Sequence, residues 1–252
     1  MQRARFEGKV FVITGSSRGI GQALANYYLD HGAFVCGCSR SAASINHERY
    51  RHFCIDLGLE APVVEMVRLV AREFGGIDVL INNAGLASMN HILTTPYSSM
   101  QTIFATNVLG SLLFVREVAK LMSRRYKALL KAGHPACHPP FRIINFATVA
   151  VALRLEGEAL YAASKAAIIN LTEVLAKELG ALGITVNAIA PAPLPTDLIK
   201  GLPKDKLDAL IQRQALKRLA NMEDVINVLD FFINPSSDFI TGQVLYLGGV
   251  SG

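Results

Sequence analysis

The stretch Val10-Phe11-Val12-Ile13-Thr14-Gly15-Ser16-Ser17-Arg18-Gly19-Ile20-Gly21 joins a short apolar, β-branched run to a glycine-rich turn that opens a helix-period segment. Glycines let the backbone turn tightly, and a helix N-terminus presents free N–H groups that favour anions. Such a turn could merely cap a helix against a strand, but its place after the first strand favours binding of a dinucleotide pyrophosphate. The candidate contact residues are Gly15, Ser17, Arg18, Gly19, Ile20 and Gly21.

Outward from this stretch, short β-branched runs alternate with segments whose apolar residues recur at helical spacing. This alternation predicts a single α/β domain over residues 1–252, with a doubly wound, seven-stranded parallel sheet and helices on both faces, that is, a Rossmann-type fold. Ligands of such sheets bind beyond the carboxyl ends of the strands. The predicted strands lie near 10–14, 34–38, 51–56, 78–82, 142–146, 184–190 and 244–247.

The composition fits one sizeable domain, since the 252 residues are 51% hydrophobic and 18% charged. The net charge of +5 is spread without a basic arm, so nucleic acid is not an expected partner. The first apolar run is too short for a signal peptide, and the other apolar runs are interrupted well before the ~18 residues of a membrane span. We therefore expect a cytoplasmic protein that does not enter a membrane, with free cysteines.

The end of the second strand reads Cys38-Ser39-Arg40, where an acidic residue would accept hydrogen bonds from a ribose 2′-hydroxyl. No carboxylate is present there, and Arg40 together with Arg18 can clamp a 2′-phosphate instead. This predicts NADP(H) as the cofactor, with Ser39 and Arg40 in its site. The alternative is that both arginines are ordinary solvated surface residues.

The segment Tyr161-Ala162-Ala163-Ser164-Lys165 begins a helix, and its i, i+4 spacing places a phenol and an ammonium on one face. A free phenol titrates near ~10, too high for ready proton exchange at neutral pH, so a neighbouring cation must stabilise the phenolate. Lys165 is expected to supply that charge. An ordinary surface pair is the alternative.

These motifs, with Asn82-Asn83-Ala84-Gly85 after the fourth strand, resemble those of the short-chain dehydrogenase/reductase superfamily. The resemblance covers nearly the whole chain and implies Tyr161 as proton donor and acceptor, with Lys165 beside it. It implies that Asn83, Ala84 and Gly85 line the adenosine side of the cofactor. Asp56 would contact the adenine, with Leu57 beside it.

The resemblance also implies two further catalytic residues. The family's serine lies thirteen residues before the tyrosine, and here that position is Thr148, which keeps the hydroxyl but adds a methyl group that narrows the pocket. Asn107 would be the fourth member and would order a water chain to Lys165. A satisfied mid-helix asparagine is the alternative for Asn107.

After the sixth strand, the segment 187–196 resembles the family's Pro-Gly segment, which implies that Pro191, Leu194 and Thr196 face the nicotinamide carboxamide. Ala192 replaces the usual glycine, and an alanine would be strained if the backbone there needs a positive φ. Residues 197–218 are expected to form a flap over the substrate, or else a fixed surface helix.

Together these features imply hydride transfer between a nicotinamide and a carbonyl carbon, while Tyr161 protonates the oxygen and Thr148 polarises it. The glycine turn, the Tyr161 segment and Ile240-Thr241-Gly242-Gln243-Val244 look most like the bacterial 3-oxoacyl-[acyl-carrier-protein] reductases of fatty acid biosynthesis. Substrate is poorly specified by such motifs, so another small ketone, sugar or polyol stays open. So does a non-catalytic NADP(H)-binding sensor or scaffold, because Thr148 and Ala192 depart from the family pattern.

The resemblance implies a homo-oligomer, a dimer or tetramer, and an acyl carrier protein as partner. Carriers are anionic, and the densest basic group is Arg124, Arg125, Lys127 and Lys131, which could either dock a carrier or form a solvated helix end. The stretch 129–140 is inserted relative to the family and is expected to be a surface loop. His134, Cys137 and His138 within it are possible metal ligands, but its prolines argue against a metal site.

Overall fold

The computed structural model describes residues 5–133, 135, 138–196 and 204–250. Their seven strands form one parallel sheet in the order β3-β2-β1-β4-β5-β6-β7. The strands are β1 Val10–Thr14, β2 Phe34–Ser39, β3 Tyr50–Cys54, β4 Val79–Asn82, β5 Phe141–Phe146, β6 Ile184–Ala190 and β7 Val244–Tyr246. The sequence-based fold class and all seven strand positions are confirmed. Because the strand order reverses between β1 and β4, a crevice is expected at their carboxyl ends.

The helices cover both faces of the sheet. They are α1 Gly19–Asp30, α2 Glu60–Phe74, α3 Tyr97–Phe104, α4 Ser111–Lys131, α5 Ala150–Leu153, α6 Ala159–Leu179, α7 Lys204–Gln212 and α8 Met222–Ile233. A π-helical turn, Ala105–Gly110, joins α3 to α4, and short 3₁₀ turns occupy Ile92–Thr94, Gly180–Leu182 and Pro235–Ser237. α1 and α8 bury apolar side chains on one face, and α2, α4 and α6 do so on the other.

Helix α2 shows how the sequence builds these layers. Its buried residues Val63, Met66, Val67 and Val70 recur at i, i+3, i+4 and i+7, which places them on one stripe facing the sheet. The helix ends at Gly75, whose φ of 74° is a left-handed conformation that glycine adopts without strain. Local pattern and tertiary packing therefore agree.

Two helical stretches, Tyr97–Lys131 and Ala159–Leu182, are long and apolar enough by composition to cross a membrane. The expectation that every apolar stretch is too short to span a membrane is therefore wrong, because these two stretches reach the required length. Both stretches contribute side chains to the buried layer against the sheet, for example Phe114 and Met122 from α4 and Ala176 from α6. Of the most apolar window in each stretch, 44% and 28% is buried, respectively, so burial accounts for part of their apolar character.

Cys36 and Cys38 are buried, unpaired thiols in strand β2, next to the edge strand β3. Burial raises the pKa of Cys36 to about 12 and raises that of Cys38 further. Cys54 is also unpaired and lies exposed at the end of β3. Cys137 lies outside the described residues.

Candidate active site

A groove crosses the carboxyl ends of the central strands. It is lined by Gly15, Ser17, Arg18, Gly19, Ile20, Ser39, Arg40, Ser41, Leu57, Asn83, Ala84, Gly85, Leu86, Thr106 and Thr196. Helix α1 begins here at Gly19 with no side-chain cap on its free N–H groups and no acidic residue in its first turn. Such a helix start is open to an anion.

Glycine is required in the turn where neighbouring atoms approach the backbone too closely for a side chain. A Cβ at Gly21 would collide with the carbonyl oxygen of Gly15 and lie 2.6 Å from Asn83 Nδ2. Gly19 has a φ of 58° and open space around its Cβ position, on the side where a ligand would lie. The residues present therefore form a cradle of the size and polarity that a dinucleotide pyrophosphate needs.

Arg18 and Arg40 are exposed side chains that both line the groove, one on the glycine turn and one after β2. No carboxylate among the described residues pairs with either of them. Asp56, by contrast, is exposed, does not line the groove, and accepts a hydrogen bond from the Gly58 N–H at 2.9 Å. Its neighbour Leu57 is buried and does line the groove.

The Asn83-Ala84-Gly85 segment ties β4 to β1 at the floor of the groove. Asn83 Nδ2 donates to the Thr14 carbonyl oxygen at 3.0 Å, and the Ala84 N–H donates to Thr14 Oγ1 at 3.0 Å. A Cβ at Gly85 would lie 3.3 Å from Lys165 Nζ and 3.5 Å from Asn107 Oδ1. Gly85 therefore brings the backbone close to both side chains.

Tyr161, Lys165 and Thr148 line one cavity that adjoins the groove. Tyr161 and Lys165 lie one turn apart in α6, and Thr148 follows β5. Burial raises the pKa of Tyr161 to about 12; a hydrogen bond with Thr148 opposes this shift, and the Glu158 carboxylate adds to it. The sequence-predicted threonine and tyrosine are therefore neighbours in space.

Lys165 is buried, and its Nζ donates to the Phe146 carbonyl oxygen at 2.6 Å. Burial lowers the pKa of Lys165 to about 8. The ammonium is held by the Phe146 carbonyl oxygen, and the hydrogen bond with Thr148 is the interaction that lowers the pKa of Tyr161. The action of Lys165 on the phenol stays a prediction.

Asn107 is fully buried in the π-helical turn. Its Oδ1 accepts from the Leu86 N–H at 2.7 Å, and its Nδ2 donates to the Leu86 carbonyl oxygen and to Ser164 Oγ, each at 2.9 Å. Both ends of the amide are thus used to tie the segment after β4 to α6, one residue before Lys165. π-Helical turns often occur at functional sites, since they rotate a side chain out of helical register.

Pro191, Leu194 and Thr196 lie where β6 ends and line the same cavity as Tyr161. Ala192 is buried without strain, since Arg154 alone among the described non-glycine residues has a positive φ. The departure from glycine at this position is therefore harmless to the backbone. Of the expected flap, residues 197–203 lie outside the described part, and residues 204–212 form α7, whose buried Leu210 faces the cavity.

The cavity beside Tyr161 is mainly apolar, with Leu86, Met89, Val149, Leu155 and Leu210 among its walls. Glu158 is the one carboxylic acid among the residues that line it. Burial raises the pKa of this carboxyl. A substrate would therefore meet apolar walls and a single acidic group.

The basic group on α4 does not lie at this site. Arg125 donates to the Ile77 carbonyl oxygen at 3.0 Å and lies 3.3 Å from Asp78, at the amino ends of the strands. Because α4 has 21 residues, its last turn is about 30 Å from the π-helical turn. The prediction of a docking surface near the active-site mouth is therefore wrong for this group, and Arg125 braces β4 instead.

The stretch 129–140 begins as the last turn of α4, which ends at Lys131. His134 and Cys137 lie outside the described residues, and His138 contacts Asp238. Within the described ranges, no group of three histidine, cysteine or acidic side chains is placed to hold a metal ion.

The sequence-based search overlooked several residues of the site. Tyr50 and His52 on β3 hydrogen-bond with Ser16, Ser39 and Ser41 around the groove. Their alternation along a strand was a usable signal, since i and i+2 side chains share one face. Ser164 and Glu158 could have been found by their helical spacing from Tyr161 and Lys165.

Known proteins resemble this chain in both sequence and structure. Residues 15–251 match the sequence model of a family described as enoyl-(acyl carrier protein) reductase. The chain belongs to the short-chain dehydrogenase/reductase family. It is 30% identical over 250 residues to the 3-oxoacyl-[acyl-carrier-protein] reductase FabG of Escherichia coli, with 97% of each chain covered. FabG of Vibrio cholerae is 29% identical over 249 residues, covering 96% of this chain and 97% of that relative.

Two solved structures of this short-chain dehydrogenase/reductase fold are similar. The ligand-free aldohexose dehydrogenase of Thermoplasma acidophilum superposes with a TM-score of 0.84 at 25% identity, covering 98% of this chain and 95% of that one. A 4-hydroxyisoleucine dehydrogenase complexed with NADH superposes with a TM-score of 0.79 at 25% identity, covering 96% and 98%. This short-chain dehydrogenase/reductase is therefore an oxidoreductase of the nicotinamide-dependent kind.

Proposed function

We propose that this protein is an NADP(H)-dependent reductase of 3-oxoacyl thioesters. The observation that carries the proposal is the continuity of two features. A cavity lined by Tyr161, Thr148 and Lys165 opens from a groove whose two arginines, Arg18 and Arg40, face no carboxylate of the described chain.

The cofactor would be held by the residues of the groove. The N–H groups at the start of α1 suit the pyrophosphate, Asn83 to Gly85 and Leu57 suit the adenosine side, and Arg18 and Arg40 suit a 2′-phosphate. Pro191, Leu194 and Thr196 lie on the nicotinamide side. When bound, the nicotinamide supplies or accepts the hydride.

Tyr161 is the proposed proton donor. With a pKa raised to about 12, its phenol is protonated at every physiological pH and is ready to protonate a carbonyl oxygen. The Thr148 hydroxyl lies beside the phenol and would hold the same oxygen.

Lys165 and Asn107 are proposed to support the phenol from behind. The ammonium sits in the wall of the cavity, where it would favour the phenolate that remains after proton transfer. Asn107 holds Leu86 and Ser164 on either side of it and is thus a positioning residue. The same hydrogen bonds to Leu86 and Ser164 would satisfy a purely structural asparagine, so the two interpretations of Asn107 share these contacts.

The apolar cavity suits an acyl chain, and the curated relatives are named 3-oxoacyl-[acyl-carrier-protein] reductases. Both points support a thioester substrate and, with it, a place in fatty acid biosynthesis. The similar solved structures are named for an aldohexose and a hydroxylated amino acid, which makes a sugar, polyol or other small hydroxy compound the second candidate.

We further infer a cytoplasmic homo-oligomer, a dimer or tetramer, that accepts a carrier-linked substrate. The oligomer is supported by Phe239, which is 97% exposed, and by Phe231 on α8, which is 46% exposed. In the oligomer proposed here, these side chains would belong to a contiguous apolar patch that the neighbouring subunit covers. Analytical ultracentrifugation would measure the assembly directly.

The deciding experiment measures kcat/KM for a 3-oxoacyl thioester, as an acyl carrier protein conjugate and as an N-acetylcysteamine mimic, with NADPH and with NADH. The proposal expects thioester turnover that is faster with NADPH. Greater efficiency with aldohexoses or small hydroxy acids would establish the second candidate. Binding of NADPH with no turnover of any substrate would identify a non-catalytic sensor or scaffold.

A further inference from the structure

A chain of hydrogen bonds runs from the glycine turn to the end of β2 by way of the edge strand β3. Ser16 Oγ lies 2.9 Å from Tyr50 Oη, and Tyr50 Oη lies 2.8 Å from His52 Nδ1. His52 Nε2 lies 2.9 Å from the Ser41 carbonyl oxygen and 3.1 Å from Ser39 Oγ. Five polar residues from three segments are thus joined in one network.

The positions of the hydrogens in the network follow from the Ser41 carbonyl oxygen, which can accept but not donate a hydrogen bond. The Ser41 carbonyl oxygen only accepts, so His52 Nε2 carries the hydrogen and donates to it. In this Nε2–H tautomer, Nδ1 is an acceptor for the Tyr50 hydroxyl, and the Tyr50 oxygen accepts from Ser16. Ser39 Oγ donates to the Ser41 carbonyl oxygen at 2.6 Å and accepts from Nε2. Every donor in the network has an acceptor.

The side chains of the network are closely packed. Ser16 is fully buried and Ser39 nearly so. A Cβ at Gly37 would collide with both Ser16 Oγ and the Tyr50 hydroxyl. Burial raises the pKa of Tyr50, which keeps its hydroxyl protonated and able to donate to His52.

The network connects the two arginines of the groove. Ser16 lies two residues before Arg18, and Ser39 and Ser41 flank Arg40. Ser39, Arg40 and Ser41 all line the groove, whereas Tyr50 and His52 do not. The strand residues therefore stand behind the site and fix the spacing of its two basic turns.

We propose that His52 is a positioning residue for the 2′-phosphate of NADP(H): its Nε2–H holds the Ser39-Arg40-Ser41 turn in the shape that presents Arg40 opposite Arg18. The proposal rests on the proposed NADP(H) preference. The 2′-phosphate is recognised by Arg40, Arg18 and the serine hydroxyls, and His52 acts only through them. Loss of the His52 bond frees the turn and weakens phosphate recognition, while the rest of the groove is untouched.

Two substitutions separate the two ring nitrogens. His52→Gln places an amide N–H near the Nε2 position and keeps the bonds to Ser41 and Ser39. His52→Asn places an amide near the Nδ1 position, keeps the contact with Tyr50 and loses the bonds to the turn. His47→Asn is the matched control, because His47 lies just before β3 and its side chain accepts a hydrogen bond from the Arg49 N–H rather than from the network.

The experiment measures affinities by calorimetry for adenosine 2′,5′-bisphosphate and for 5′-AMP, which differ only by the 2′-phosphate. We expect His52→Asn to weaken bisphosphate binding about tenfold, the scale of one lost hydrogen bond to a charged site, with 5′-AMP affinity and Tm unchanged. His52→Gln and His47→Asn should stay within about threefold of the wild-type protein.

The outcomes distinguish the two proposals. Equal affinity of the wild-type protein for both nucleotides would reject the NADP(H) preference itself. A wild-type preference that persists in His52→Asn would reject the role of His52. Weakening of both nucleotides together, or equal losses in the Asn and Gln variants, would show a general structural role and would also reject it.

Discussion

The ammonium of Lys165 lies 2.6 Å from the carbonyl oxygen of Phe146, the last residue of β5. This places a cation inside the protein with a neutral partner, and burial lowers the pKa of Lys165 from 10.5 to about 8. A buried charge of this kind costs stability wherever it is ionised.

The first prediction follows from that cost. Between pH 8 and 10.5 the unfolded chain keeps the Lys165 proton that the folded chain has lost, so the free energy of unfolding rises with pH in this range. Relative to Lys165→Met, the wild-type protein should gain about 2 kcal/mol between pH 7 and 9.5 in urea unfolding. Lys177→Met, on the exposed side of the same helix, is the control, and a pH-independent difference for Lys165→Met would contradict the assignment.

The second prediction concerns the paired hydroxyls of Tyr161 and Thr148. Tyr161→Phe removes the proton donor and should leave almost no turnover, while nucleotide binding is retained. Thr148→Ser keeps the hydroxyl and should remain active, whereas Thr148→Val should lose about 100-fold in kcat, the usual scale of one lost donor to a developing oxyanion. Steady-state kinetics measure all three, and a fully active Thr148→Val protein would remove Thr148 from the mechanism.

The third prediction concerns the cofactor. Arg40→Asp replaces a cation in the groove with a carboxylate that accepts from a ribose 2′-hydroxyl and repels a 2′-phosphate. The ratio of kcat/KM for NADPH to that for NADH should fall at least tenfold. Arg51→Asp on β3, whose side chain is exposed and does not line the groove, should leave the ratio unchanged. A wild-type ratio near one would refute the preference at the outset.

The fourth prediction concerns Glu158 in the wall of the substrate cavity. An ionised carboxyl there repels a free 3-oxo acid but not its neutral thioester, since like charges in a partly desolvated cavity interact strongly. Glu158→Gln should raise kcat/KM for the free acid about tenfold relative to a thioester of the same chain length. Glu156→Gln, exposed and outside the cavity, is the control. An unchanged acid-to-thioester ratio would show that Glu158 does not face the substrate.

The fold was predictable because its signals are local. Alternating β-branched runs and helical stripes, such as Val63 to Val70 in α2, specify elements from their own residues. The contact between Tyr161 and Thr148 was predictable only through the family resemblance, because neither local sequence indicates that the two residues are close in space.

The properties that escaped prediction depend on tertiary placement. The bond from the Lys165 ammonium to the Phe146 carbonyl oxygen could not be read from the helix that carries Lys165, because the acceptor belongs to β5. Arg125 was expected at a solvated helix end or at a carrier-docking surface, but it lies at the amino ends of the strands, where it meets Asp78. The partnership of His52 with Ser41 depends on strand register across β2 and β3.

Asn82 and Asn145 face each other at paired positions of β4 and β5, and Asn82 Nδ2 donates to Asn145 Oδ1 at 3.0 Å. Asn145 Nδ2 in turn donates to Thr172 Oγ1 at 2.9 Å. An apolar residue at position 82 would leave Asn145 Oδ1 without its donor, and one at position 145 would leave Asn82 Nδ2 with its 3.4 Å bond to the Ser111 carbonyl oxygen. Apolar residues at both positions would leave fewer buried polar atoms without a partner. Replacement of Asn82 and Asn145 by apolar residues during evolution is therefore expected to occur at both positions together, because each asparagine constrains the other.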